Sequence, residues 1–193
     1  MTSRPRPFIV GLGGTVRPGS TSETALARAL AWAQGAGATS ELFGGAFMAS
    51  LPIYNPDDAG PHPERDRLLE AVRRADGLIV ATPGYHGSVS GLVKNALDSL
   101  EGLSGETRPY FDGRAVGCIV AASGAQAAGS TLAALRAIVH ALRGWPTPLG
   151  ATLNTGPGLL ETGGGFLDAK DAWQVETVAA QVLAFARAWA RKG

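Results

Sequence analysis

Short runs of consecutive apolar residues alternate along this chain with longer stretches in which apolar residues recur every three or four positions. Phe8-Ile9-Val10-Gly11-Leu12 has no polar face, as expected of a strand buried on both sides in a parallel sheet. It ends in Gly13-Gly14 and a polar loop. Leu26, Ala29, Leu30 and Ala33 then keep helical spacing, which predicts a helix over 22–35, ended by Gly35 and Gly37. A weaker strand is read at 40–43, a proline-bracketed loop at 51–56, and a polar helix at about 62–75 with Leu68, Leu69 and Val72 inward. Gly77–Thr82 is the clearest buried strand. A loop at 83–87 leads to a helix marked by Leu92, Val93, Ala96, Leu97 and Leu100. Val116–Ala122 is another buried strand, followed by a small-residue loop at 123–129 and a helix carrying Leu132, Leu135, Val139 and Leu142. A faint fifth strand falls near 147–153. Residues 154–168 read as a glycine-rich excursion, and Val175, Val178, Val182, Phe185 and Trp189 pattern a last helix.

Five strand–helix pairs in this order predict one parallel sheet with helices on both faces. Right-handed crossovers favour a doubly wound sheet, whose ligands bind at the carboxyl ends of the strands. The loops at 11–22, 83–88 and 123–129 each follow a strand, so they are expected to converge on one crevice.

The 193 residues suit a single domain over 1–193. Seventeen basic against sixteen acidic residues leave a net charge of +1, which supplies no electrostatic footprint for nucleic acid. One cysteine, Cys118, excludes an internal disulfide, and the scattered His62, His86 and His140 have no metal-ligand spacing. No stretch reaches the about 18 apolar residues of a membrane span. The apolar run after Arg4 and Arg6 stops at Gly11, too short for a secretory leader, so a cytoplasmic protein is expected.

Gly14-Thr15-Val16-Arg17-Pro18-Gly19-Ser20-Thr21-Ser22 joins a buried strand to a helix N-terminus. Free backbone N–H groups and the helix dipole favour an anion there. Thr15, Ser20, Thr21 and Ser22 add hydroxyls, and Arg17 adds a charged donor. The loop lacks the Gly-Lys-Ser/Thr ending of a P-loop, and Val16 stands where a dinucleotide fingerprint needs its third glycine. A phosphate monoester held mainly by neutral donors is the better reading. The bland alternative is helix capping by Ser20 or Ser22.

The pattern Gly14-Thr15-x-Arg17-x-x-Ser20-x-Ser22 resembles the first loop of the NADPH-dependent FMN reductases. Thr82-Pro83-Gly84-Tyr85-His86-Gly87-Ser88 through Lys94-Asn95-Ala96-Leu97-Asp98 is similar to that family's second segment, and Leu51-Pro52-Ile53-Tyr54-Asn55 to another of its stretches. Ser123–Gly129 is a looser match to its third loop. The likeness runs over residues 7–150. It implies a flavodoxin-like α/β fold: a three-layer α/β/α sandwich on a five-stranded parallel sheet, order 2-1-3-4-5. It also implies FMN as cofactor, NADPH or NADH as hydride donor, a small-molecule acceptor and a homodimer or homotetramer. Thr15, Arg17, Ser20, Thr21 and Ser22 would hold the phosphate. Pro83, Gly84, Tyr85, His86, Gly87 and Ser88 would line the isoalloxazine, with Ser123, Gly124 and Ala125 at its other edge. Gly84, His86 and Ser90 stand where the family usually has Glu, Asn and Pro. On this alignment Gly84→Glu is expected to leave flavin binding intact.

Other roles weigh against this one. Tyr85 also reads as a packing aromatic, His86 as a surface or hydrogen-bonding loop residue, and Lys94 with Asp98 as a solvent-side ion pair. Cys118 reads as inert core, and Trp145, Trp173 and Trp189 as packing or subunit contacts. Glu161 and Asp168 make no convincing catalytic pair, so no acid–base residue is assigned. A flavodoxin-type electron carrier is the rival, but such carriers are typically acidic. A serine hydrolase fails because Val89 occupies the centre of Gly87-Ser88-Val89-Ser90-Gly91.

Overall fold

The computed structural model describes residues 6–58, 60–155, 166 and 168–189. Strand β1 (Phe8–Gly13) is an interior strand of the sheet. It pairs in parallel with β2 (Thr39–Phe43) on one side and β3 (Gly77–Tyr85) on the other. Next to β3 lies β5 (Ala115–Ala122), whose residues are all buried. The outer position beside β5 is shared by two short pieces, β6 (Trp145–Pro146) and β7 (Ala151–Asn154), both parallel to it. The sheet has seven strands among the described residues rather than the expected five: its parallel path follows 2-1-3-4-5 by position, but the last strand is interrupted at Thr147–Gly150. Pro146 borders the break and Pro148 lies within it, and neither can donate to a ladder. A two-residue strand, β4 (Ser88–Val89), turns back antiparallel on the end of β3.

The strands alternate their side chains between two cores. Val10, Leu12, Leu78, Val80, Val116 and Cys118 face the layer built by α2 (Gly45–Ser50), α3 (Pro63–Arg74), α4 (Gly91–Asp98) and α5 (Ala125–Ala141). Ile9, Ile79, Ala81 and Ile119 face α1 (Thr21–Gly35) and α6 (Ala169–Trp189). The near-continuous apolar reading of these strands follows from burial on both faces. A 3₁₀ turn over Ser99–Leu103 extends α4. Close approach of α6 is permitted by Gly117, where any Cβ would run into Val178.

Several boundaries differ from the sequence reading. Pro83-Gly84-Tyr85 is strand rather than loop, because the pairing of Gly84 with Val89 and of Tyr85 with Ser88 prolongs β3 into a hairpin. Residues 125–129 open α5 instead of belonging to a loop. Small residues after a strand read as loop, but alanines are strong helix formers. The short helix α2 had no sequence signal of its own. The excursion at 154–168, with Glu161, lies largely outside the described residues. Asp168 lies at the start of α6, where its carboxylate accepts from Lys170 N–H at 2.8 Å.

At the end of the sheet opposite the strand tips, Arg114 is fully buried and, among the described residues, makes no ion pair with a carboxylate. Its guanidinium donates instead to the carbonyls of Ala75, Arg73 and Tyr110 at 2.8, 2.8 and 2.9 Å. Burial pulls its pKa down to about 10, which leaves it charged at neutral pH. Arg108 donates to Asp112 O and Gly113 O nearby. Together they tie the 108–114 segment to the α3–β3 junction, so the base of the sheet is fixed while its tips remain available for binding.

Candidate functional site

Four strand ends meet at one cleft of about 300 Å³. Its wall is formed by Thr15, Arg17, Ser20, Thr21 and Ser22 after β1, Pro83, Gly84 and Tyr85 at the end of β3, Ala121, Ala122 and Ser123 at the end of β5, and Thr155 after β7. Nine of the residues singled out from sequence are therefore brought together. Arg17 is the one formally charged side chain among these residues.

The first loop is built largely by its own side chains. Thr15 Oγ1 accepts from Arg17 N–H at 3.1 Å, closing a small turn. Ser20 is the N-cap of α1, its Oγ accepting from Glu23 N–H at 3.4 Å. The bland capping role thus belongs to Ser20. Ser22 is different. Only 1% of it is exposed, and its Oγ is buried with no hydrogen-bond partner among the described residues. Buried hydroxyls are nearly always paired, so this one points to a missing acceptor. The N–H groups of Thr21 and Ser22 lie in the first helical turn, where the helix itself offers no acceptor.

The second segment is a tight hairpin. His86 and Gly87 both have positive φ, 53° and 80°, as a two-residue turn with both central residues left-handed requires. Asn and His tolerate that conformation better than most residues. His86 therefore serves the turn, and with Gly87 and Ser88 it lies beyond the cleft wall. Thr82 holds the hairpin's far side, its Oγ1 accepting from Ser90 N–H at 3.0 Å. Thr131 on α5 donates to Ser88 O at 3.4 Å. The tolerance expected of Gly84→Glu does not survive this packing. A Cβ at Gly84 would stand 2.8 Å from Ala122 Cβ and 2.9 Å from Thr131 Oγ1, so any side chain there must push β3 away from α5. Tyr85, at the hairpin's start, keeps 56% of its surface exposed at the mouth of the cleft.

In the third segment Ser123 reaches the wall. Gly124 is the N-cap of α5 with φ of 97°, and Ala125 begins that helix; neither lines the cleft. Gly124 N–H is held by Asn154 Oδ1 at 3.4 Å. Sequence reasoning missed Thr155, Ala121 and Ala122. The rule that ligands gather at strand ends points to Thr155 as soon as the fifth strand is accepted. It also missed Glu23, whose carboxylate lies behind the first loop. The spacing Ser20-x-x-Glu23 is the sequence signal that could have found it.

Cys118 lies within β5, 1% exposed, and burial pushes its thiol up to about 12. It is an inert core residue rather than a nucleophile. Lys94 and Asp98 form the expected ion pair at 2.6 Å on the outer face of α4. Phe185 and Trp189 stack with ring centroids 5.3 Å apart, and Trp145 lies tilted against Phe185 at 6.2 Å.

A family model described as NADPH-dependent FMN reductase matches residues 7–156, the span that carries all four wall segments. The chain belongs to this family. It is 37% identical over 92 residues to an NAD(P)H-dependent FMN reductase of Pseudomonas aeruginosa, covering 47% of this chain and 48% of that protein. It is 37% identical over 108 residues to an FMN-dependent NADPH-azoreductase of Staphylococcus aureus, covering 52% and 54%. The chain thus spans about half the length of the curated relatives it matches. Among solved structures, the NAD(P)H:acceptor oxidoreductase FerB from Paracoccus denitrificans superposes with a TM-score of 0.64 at 21% identity, over 94% of this chain and 98% of that one. An apo NADH:FMN oxidoreductase gives 0.71 at 21%, over 94% and 89%. These likenesses show the flavodoxin-like fold of this FMN reductase family member.

Proposed function

We propose that the chain is an FMN-dependent NAD(P)H oxidoreductase that passes reducing equivalents to a small-molecule acceptor. The observation that carries this reading is the unpaired, buried hydroxyl of Ser22 in the cleft wall at the start of α1. The residues present fit FMN on that ground: a phosphate oxygen would give Ser22 Oγ its acceptor, beside first-turn N–H groups and the positive end of a 15-residue helix. Arg17 would add a charged contact at the rim. Ser20 and Thr15, each engaged by a backbone N–H, would shape the seat.

When bound, FMN supplies the hydride chemistry, as cofactors of this kind do. The chain's own residues bind and orient. Pro83, Gly84, Ala121 and Ala122 present a wall free of ionisable groups, which suits a flat apolar ring. Tyr85, exposed at the mouth, would border the face that a nicotinamide and then an acceptor approach. No side chain is assigned as acid or base.

Free flavins, quinones, azo compounds and metal oxyanions are the acceptor classes of this reading. The azoreductase relative makes an azo dye the first to try. The reading also takes the protein to be cytoplasmic and a homodimer or homotetramer. Among the described residues no helix is long and apolar enough to cross a membrane.

The test is direct. Purified protein is mixed with FMN, desalted and scanned for a retained flavin spectrum. NADPH or NADH is then added anaerobically, followed by an azo dye or quinone. Retained flavin that bleaches with nicotinamide alone and recovers with acceptor is expected. Bleaching only when a partner protein is added would favour an electron carrier, and protein that retains no flavin would end the reading.

A further inference from the structure

In a capping box, the carboxylate three residues after the N-cap turns back to the N-cap N–H. Glu23 has that position relative to Ser20, yet its carboxylate reaches across to a different segment. Its Oε2 accepts from Gly45 N–H, the first residue of α2, at 3.1 Å. Gly44, the N-cap of α2, offers no side chain of its own, so Glu23 supplies that helix with a capping acceptor.

Three glycines make room for this reach. A Cβ at Gly14 would lie 2.5 Å from Glu23 Oε2, and one at Gly44 would lie 2.8 Å from Oε1. A Cβ at Gly45 would overlap the carbonyl of Thr15, so the start of α2 rests against the backbone of a cleft residue. Gly14 adopts φ of 121°, which a side chain would also strain. The contacts close a ring: α1 carries Glu23, Glu23 holds Gly45, and Gly45 abuts Thr15, which leads back through the first loop to α1.

A carboxylate is an unfavourable neighbour for a phosphate. Its place behind an anion seat is therefore explained by reach rather than charge. We propose that Glu23 is the positioning residue of the first loop: by holding Gly45 against Thr15 it fixes the spacing between that loop and the N-terminus of α1, and so sets a preference for FMN over unphosphorylated riboflavin. The inference rests on the reading of the cleft as an FMN seat.

Dissociation constants for FMN and for riboflavin, measured by flavin fluorescence, test it on the wild-type protein and three variants. Glu23→Ala removes the acceptor, and Glu23→Asp keeps the charge but withdraws it by one methylene. Both are expected to bind FMN about tenfold more weakly, the scale of one lost hydrogen bond to a buried partner, with riboflavin unchanged. Glu23→Gln keeps an oxygen at full length and is expected to retain the preference or raise it. The Asp and Gln pair decides the matter if the Ala variant fails to fold. Retention of the wild-type preference in Asp, or its loss in Gln, would overturn the proposal. Equal weakening of both ligands would do so too, because it marks a general structural role. A wild-type protein without any preference for FMN would instead overturn the reading of the cleft, and this inference with it.

Discussion

Ser22 and Arg17 both border the cleft, but burial separates them. The Ser22 hydroxyl is shielded from water and has no partner, so a phosphate oxygen meeting it replaces no protein hydrogen bond. Arg17 is exposed, and its attraction to a phosphate is screened. Ser22→Ala is therefore expected to weaken FMN binding by about tenfold or more, since a bond to a charged group is worth roughly 1.5–3 kcal/mol. Arg17→Ala is expected to cost only a few-fold, and less at high salt. Titrations at two ionic strengths check both; a larger, salt-insensitive effect at Arg17 would move the phosphate seat away from Ser22. The hydroxyls were legible in the sequence as a set. Which of them is buried without a partner was not, because Thr15 and Ser20 are engaged by N–H groups two and three residues on, whereas the burial of Ser22 is set by packing.

At the scale of elements, the hairpin after β3 shows how a residue that suggests chemistry can serve geometry. His86 occupies a left-handed position of a two-residue turn. His86→Asn is expected to leave thermal stability unchanged or slightly higher. His86→Val, β-branched at a positive φ, is expected to lower it by about 1 kcal/mol. A loss of stability in the Asn variant would show that the ring makes contacts beyond the turn. Helix and strand order was readable from periodicity, and the two helical faces from their apolar spacing. The extension of β3 through Gly84 and Tyr85 was not, because it depends on pairing with residues 88–89 rather than on the local apolar pattern.

Across the whole molecule, the two ends of the sheet divide labour. Arg114 and Arg108 fasten its base, and the strand tips open into the cleft. Arg114→Met would remove the guanidinium donors from the carbonyls of Arg73 and Tyr110 and leave Ala75 O only its long 3.5 Å bond from Arg108. A loss of about 3 kcal/mol or more is expected, read as a lower midpoint in urea at unchanged slope. A loss below about 1 kcal/mol would mean that water reaches those carbonyls. Cys118 reports on the same core. With its thiol pushed up to about 12, it is expected to resist alkylation at neutral pH until urea unfolds the chain. Rapid labelling of the native protein would show that β5 opens locally.

By itself, the sequence determined the alternation of buried strands with amphipathic helices, the parallel doubly wound class, and the hydroxyl-rich turn that opens α1. These follow from local periodicity and from loop chemistry contained within a few consecutive residues. Tertiary structure alone decided that Ser22 is the unpaired donor, that Thr155 completes the wall, that Glu23 reaches Gly45, and that Gly84 has no room for a side chain. The first depends on burial and the other three join residues far apart in the chain; both are set by packing, which local pattern does not encode.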